Sequence, residues 1–135
     1  MFDWINPFLG ETGRMQNTTA PKTRLQSGQA GENKALDYLI KQGLVLVARN
    51  FSSRMGEIDL VMKDHDTLVF VEVRKRRKGN FGGAAASITR AKQQRLVKTA
   101  QFFLQKMVKT PPCRFDVVAL DGDGITWLKN VIDEM

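Results

Sequence analysis

Cysteine and histidine are nearly missing from this 135-residue chain, which has one of each, Cys113 and His65. A single cysteine excludes an intrachain disulfide and gives an oxidising compartment no support. A single histidine leaves a zinc cluster or a Ser-His-Asp triad almost without material. Cys113 follows Pro111-Pro112 with no histidine to form a dyad, and reads as a packed or partly exposed thiol. No apolar run reaches the roughly 18 residues of a membrane span. The opening stretch, Met1 to Gly10, is apolar but short, and it carries Asp3 where a secretory signal carries positive charge. These absences point to the cytoplasm and away from a membrane partner.

What is present describes an ordinary domain with a charge bias. Hydrophobic residues make up 42% and charged residues 26%, a balance that supports one buried core without staples. The formal charge is +7 and the isoelectric point near 9.9. A positive field of that size attracts polyanions, of which nucleic acid is the commonest in cytoplasm. Charge alone does not separate a nucleic-acid surface from a solvated one.

Residues 1–27 show no sustained periodicity and include Asn17-Thr18-Thr19-Ala20-Pro21, so they read as a flexible arm ahead of a domain at 28–135. Phe2, Trp4 and Phe8 leave that arm free to dock, for instance on a neighbouring subunit. Ala35, Leu36, Leu39 and Ile40 recur at helical spacing between Gln29 and Gln42, and Gly43 supplies the stop. Strands follow at Leu44–Val47 and Glu57–Met62, separated by Arg49-Asn50-Phe51 and a turn through Ser52–Gly56. Thr67–Arg74, rich in β-branched and aromatic residues, forms a hairpin with the second strand across Lys63-Asp64-His65-Asp66. Lys75–Gly83 is a basic, then glycine-rich loop. A long helix from Ser87 to Met107 carries Leu96, Val97, Ala100, Phe103, Leu104 and Met107 on one stripe. Pro111-Pro112 prevents its continuation. Strands at Phe115–Leu120 and Ile125–Leu128 flank the turn Asp121-Gly122-Asp123-Gly124, which lacks a calcium-loop ligand series. The order α-β-β-β-α-β-β predicts an α/β fold with a mixed sheet flanked by helices.

The chemistry-bearing residues stand out against this pattern. Alternation puts Glu57, Asp59 and Val61 on one strand face, with Ile58, Leu60 and Met62 opposite; on the third strand Leu68, Phe70, Glu72 and Arg74 share a face, with Val69, Val71 and Val73 on the other. Asp59 and Glu72 thus lie inside apolar strands, where an unpaired carboxylate is costly. Acids on adjacent strands suit magnesium, a hard cation that accepts phosphate as a further ligand, polarises a phosphodiester and activates water. Each acid taken alone is explained as well by an ion pair with a nearby Arg or Lys. Glu32 extends the buried stripe of the first helix, or else answers the positive end of its dipole. Lys92 and Gln93, at the polar end of the second helix's stripe, face the same site or form a solvated edge. Asp64-His65-Asp66 reads as a turn rather than a metal site.

In chain order these are Glu32; Gly56-Glu57-Ile58-Asp59-Leu60-Val61; Val69-Phe70-Val71-Glu72-Val73-Arg74-Lys75-Arg76; and Lys92-Gln93-Gln94-Arg95. The series resembles the PD-(D/E)xK nuclease superfamily. More narrowly, Gly31-Glu32, Ala35, Tyr38-Leu39, Arg49-Asn50 and Arg114-Phe115-Asp116-Val117-Val118 resemble the YraN family of predicted endonucleases, related to archaeal Holliday-junction resolvases. The resemblance spans about Gly31 to Leu128. It implies a restriction-endonuclease-like fold and an endonuclease dependent on magnesium or manganese. Asp59 and Glu72 would be its metal ligands, Glu32 an accessory acid, and Gln93 a helix residue lining the site. The family pattern places lysine two residues after the second acid, where this chain has Arg74. Arginine binds phosphate bidentately but stays protonated and is no general base, while Lys75 points to the opposite face of a regular strand. Three outcomes stay open: Arg74 suffices, Lys92 substitutes from the helix, or cleavage is lost.

The leading expectation is therefore a metal-dependent endonuclease acting on nucleic acid, with DNA favoured over RNA. Its rivals are a catalytically inactive binding module of the same fold, and a basic interaction protein docking an acidic protein or anionic lipid. A homodimer fits junction resolution, which requires paired active sites. Arg74, Lys75, Arg76, Arg77 and Lys78, with Arg90, Lys92 and Arg95, are the expected phosphate contacts. Nucleic-acid affinity should fall steeply with salt, and reversing both Arg76 and Arg77 to Glu should weaken it for all sequences alike. Fluorescence anisotropy across a salt series measures both effects; unchanged binding by the double variant would leave that run a solvated surface.

Overall fold

The structure is a computed structural model that describes residues 24–75 and 88–132. Its elements are α1 (Arg24–Lys41), β1 (Val45–Ser53), β2 (Gly56–Asp64), β3 (Thr67–Lys75), α2 (Arg90–Leu104), β4 (Cys113–Asp121) and β5 (Gly124–Leu128). Residues 1–23, which carry most of the expected arm, lie outside the described residues, as do Arg76, Arg77, Lys78 and the glycine-rich segment after them.

The five strands form one sheet in the order β1-β2-β3-β4-β5, antiparallel except for the parallel β3–β4 pair. A parallel pair needs a crossover, and α2 supplies it. Ala35, Leu36 and Leu39 of α1 cover one sheet face, against Leu60, Met62, Val69, Val71, Val118 and Leu120. Leu96, Ala100 and Phe103 of α2 cover the other, against Val61, Phe70, Phe115 and Val117. With both faces covered, β3 must be apolar on both sides. Leu68 and Phe70 do face α2, and Val69, Val71 and Val73 face α1, as alternation predicts. Glu72 interrupts an otherwise apolar run while remaining buried.

The element bounds differ from the sequence expectation where apolar side chains carry no signal. α1 starts at Arg24 rather than Gln29; Gly28, Gln29 and Ala30 are exposed and add nothing to its apolar stripe. β1 runs through Arg49-Asn50-Phe51 to Ser53, because ladder hydrogen bonds need no apolar partner. α2 begins after Thr89, whose side chain accepts the Lys92 N–H at 3.1 Å, a regular N-cap. The expected turn at Asp64-His65-Asp66 is present, with His65 exposed at φ +54°. Cys113 is half-buried and its Sγ donates to the Pro111 carbonyl at 3.2 Å; burial pushes its thiol up to about 11, leaving it unreactive.

A buried carboxylate ties β4 to the strands and loop around it. Asp116 accepts from Arg114 Nε at 3.1 Å, Trp127 Nε1 at 2.9 Å and the Asn130 N–H at 2.9 Å. Arg114 also reaches Asp64 on β2 at 2.9 Å. A charge with its acceptor sites filled in this way is tolerated in the interior, and removing it strands every donor. Asp116→Ala should lower unfolding free energy by about 3 kcal/mol, read from urea denaturation; a loss below about 0.5 kcal/mol would show the donors finding water instead.

Candidate active site

The β2–β3 ladder pairs Asp64 with Thr67 and continues to Leu60 and Val71, where regular pairing stops. There the Asp59 carboxylate takes over: its Oδ2 accepts the Val73 N–H at 2.8 Å. A side-chain acceptor keeps the backbone donor satisfied while letting the strands part. On the other flank of β2, Asn50 sits opposite Asp59, between the Arg49–Leu60 and Phe51–Ile58 pairs. Asn50 has φ +50°, a left-handed conformation that asparagine tolerates better than most residues. The local reversal changes which face each residue serves. Ile58, expected to share a face with Leu60 and Met62, packs instead with Val61 and Phe51 on the α2 side.

The same irregularity sends consecutive residues of β1 toward α1. Arg49 NH2 donates to Asn33 Oδ1 at 2.7 Å and Asn50 Nδ2 to Glu32 Oε1 at 2.8 Å. Because α1 starts at Arg24, Glu32 is not in its first turn, and the helix dipole no longer accounts for it. Its carboxylate turns toward β2. One oxygen each from Glu32, Glu57 and Asp59 lie within 4.8 Å of one another, a spacing that can hold a metal ion.

Glu72 completes the group from β3. Its side chain is 8% exposed, with Lys92 Nζ at 3.0 Å and Arg74 NH1 at 3.4 Å from the same oxygen. Asp59, Glu72, Lys92 and Arg95 line one open cleft, with Gly56, Glu57 and Val73 at its sides. Burial, then the neighbouring Glu72 and Glu32 carboxylates, push Asp59 up to about 8, despite the Val73 N–H that favours its charged form. Burial also raises Glu32, opposed by the Asn50 hydrogen bond and the Arg49 charge. Carboxylates that disfavour each other's ionisation suit a divalent cation, which would relieve the repulsion.

The residues singled out in the sequence are distributed unevenly around this cleft. Asp59, Glu72, Arg74, Lys92 and Arg95 gather there, and Glu32 approaches from α1. Gln93 is not among the cleft's lining residues; its amide donates to the Ile88 carbonyl at 3.2 Å. Arg90 is exposed on α2, and Lys75 turns to the other face, where its stem runs beside Gly31. Glu57 and Asn50 were not among the candidates. Glu57 was findable, since it stands two residues before Asp59 on the same strand; nothing in the type of Asn50 announced its contact with Glu32.

An α/β domain of restriction-endonuclease-like topology, with a carboxylate cluster able to coordinate a divalent cation, defines a nuclease-like class. Within it, the chain belongs to the family described as uncharacterised protein family UPF0102, the YraN family of the sequence resemblance, whose model matches residues 31–120. It is 59% identical over 114 residues to a UPF0102 protein of Herminiimonas arsenicoxydans, covering 84% of this chain and 92% of the relative. A UPF0102 protein of Janthinobacterium sp. (strain Marseille) is 58% identical over 114 residues, at 84% and 93% coverage. One from Cupriavidus necator is 48% identical over 129 residues, at 95% and 94%. No helix among the described residues is long and apolar enough to cross a membrane.

The buried acid has a consequence for stability. Asp59 titrates near 3.8 when unfolded and near 8 when folded, so between those values the folded chain retains a proton that the unfolded chain releases. Stability of the metal-free protein should therefore fall as pH rises from about 4 to about 8, and level off above. Asp59→Asn keeps an oxygen to accept the Val73 N–H and should abolish that fall, raising Tm by about 5 °C at the alkaline end. Thermal melts in EDTA at several pH values check both; a wild-type Tm that rises with pH across this window contradicts the assignment.

Proposed function

We propose that this chain is a divalent-cation-dependent endonuclease that hydrolyses phosphodiester bonds, with DNA as its nucleic acid. The observation that carries the reading is the Asp59–Glu72 cleft, where a half-buried and a buried acid lie together and the Lys92 ammonium meets Glu72, in a chain otherwise rich in positive charge. Asp59 and Glu72 would hold magnesium or manganese, with Glu32 and Glu57 as accessory acids. The donor set is all carboxylate oxygen, which fits a hard cation and not zinc. When bound, the ion supplies Lewis acidity to the scissile phosphate and to the attacking water.

The remaining roles belong to side chains. Asp59 is fixed by the Val73 N–H, so its carboxylate would lose little rotamer freedom on binding an ion. The Thr89 cap fixes the backbone of Lys92 at the start of α2, and the Lys92 ammonium stands 3.0 Å from Glu72, so it would meet a water or phosphate oxygen brought to the acids by a bound ion. It therefore takes the orienting role that the family pattern gives to the lysine at position 74. Arg74 grips the non-bridging oxygens as a fixed fork.

Purified protein with Mg²⁺ or Mn²⁺ should cut DNA, and Asp59→Asn should abolish cutting while leaving DNA binding intact. Lys92→Ala should slow it by about a hundredfold, whereas Arg74→Lys should retain it. Failure of wild type and Arg74→Lys alike, on DNA and RNA with both metals, would leave the inactive binding module. A large gain in Arg74→Lys with no effect of Lys92→Ala would return the lysine's role to position 74.

A further inference from the structure

Beside the acidic cleft runs a surface of opposite sign. α2 contains Arg90, Lys92, Arg95 and Lys98 and no acidic residue. Lys92 is engaged by Glu72, whereas Arg95 and Lys98 are exposed and make no ion pair among the described residues. Arg95 borders the cleft itself. Further along the helix Phe102 is 45% exposed, its ring 6.0 Å from that of Phe51, with Lys106 Nζ 5.9 Å from its centroid. The core does not require that ring. Its neighbour Phe103 is buried and makes the edge contact with Phe51 at 5.0 Å.

Arg95, Lys98 and Phe102 stand at positions i, i+3 and i+7, one side of a helix, with about 10 Å of axial rise from first to last. The β1–β2 turn is fastened against the same side. Ser53 Oγ lies 3.2 Å from Thr99 Oγ1, and a Cβ at Gly56 would stand 3.7 Å from the Arg95 Cβ. This holds the exposed Arg54 next to the ridge. A line of cations leading out of the cleft to an exposed ring has a specific complement. In a duplex the bases are stacked inside and offer an apolar ring nothing to meet. An unpaired strand offers phosphates to the cations and a base face to the ring, the pairing that single-strand binding surfaces use.

We propose that the ridge from Arg95 through Lys98 to Phe102 binds a single strand of nucleic acid leaving the cleft, with Arg95 and Lys98 on its phosphates and a base stacked on Phe102. The substrate is then a duplex carrying an unpaired extension, rather than continuous duplex. This rests on the cleft being the place where a phosphodiester sits, but the binding itself does not require that the bond be cut.

The test uses the full chain in EDTA, with fluorescein-labelled blunt duplex and the same duplex bearing an unpaired ten-nucleotide tail, read by anisotropy. Wild type should bind the tailed probe more tightly. Phe102→Ala should weaken the tailed complex about tenfold and leave the blunt complex unchanged, and Lys98→Glu should do so with a shallower salt dependence. Equal affinity of wild type for the two probes, or equal loss by Phe102→Ala on both, overturns the proposal. So does a Phe102→Ala variant that changes only the sedimentation coefficient, which would make the ring a contact between copies of this chain. Preferential binding of the tail without cleavage under Mg²⁺ supports the ridge and removes the nuclease reading. No binding of either probe removes both. Both substitutions are at exposed positions, and circular dichroism verifies that each variant is folded.

Discussion

One hydrogen bond organises the functional end of this sheet: the Asp59 carboxylate receives the Val73 N–H that a regular ladder would give to a backbone carbonyl. With the donor satisfied by a side chain, β2 and β3 separate at no cost in unpaired polar groups. The separation opens the cleft, and the residue that opens it also lines it. Asn50 makes the matching adjustment on β1, so that the sheet reshapes across adjacent strands together. The arrangement gives up regular pairing and holds a carboxylate in surroundings that resist its ionisation. Sites prepared for a cation commonly carry such strain when the cation is absent.

The electrostatics have two scales. Over the whole chain the formal charge of +7 favours the approach of a polyanion over that of a cation. At the cleft the sign reverses, since Glu57, Asp59 and Glu72 line it and Glu32 lies beside Glu57 and Asp59. A phosphate would be repelled by those acids alone, and Lys92, Arg74 and Arg95 around them offset that repulsion. In the proposed function the carboxylates would select a cation and the surrounding cations would accept the phosphate, so that each group makes the other's ligand bearable.

Much of the scaffold could be read from the chain, because its core is built from strongly periodic segments. Leu68 and Phe70 against Val69 and Val71, and Leu96, Ala100 and Phe103 on α2, carry their faces in their spacing. The pairing of Asp59 with Glu72 in one cleft also followed from strand alternation together with the family pattern. What escaped was what alternation misrepresents. Ile58 changed sides because the Asp59–Asn50 irregularity breaks the period of two, and an asparagine that tolerates a left-handed φ is only a weak signal of it. Glu32 was placed in a first turn because the sequence ahead of Gln29 carries no periodic apolar stripe to mark the helix. Arg114-Phe115-Asp116 matched the family pattern, yet its work is structural: it welds β4 to β2, β5 and the segment at Asn130.

α2 has a double employment. Leu96, Ala100 and Phe103 seat it on the sheet, and the same rigid rod carries Lys92 and Arg95 to the cleft and Phe102 to the surface. Cations on a loop would adjust independently; here their spacing is that of a ruler, set by the helical rise and anchored by core packing. The hydrophobic interior therefore acts as the calibration of the site. Evolution can retune the distance between ammonium and carboxylate by exchanging a leucine for a methionine beneath the helix, with no change to any polar residue.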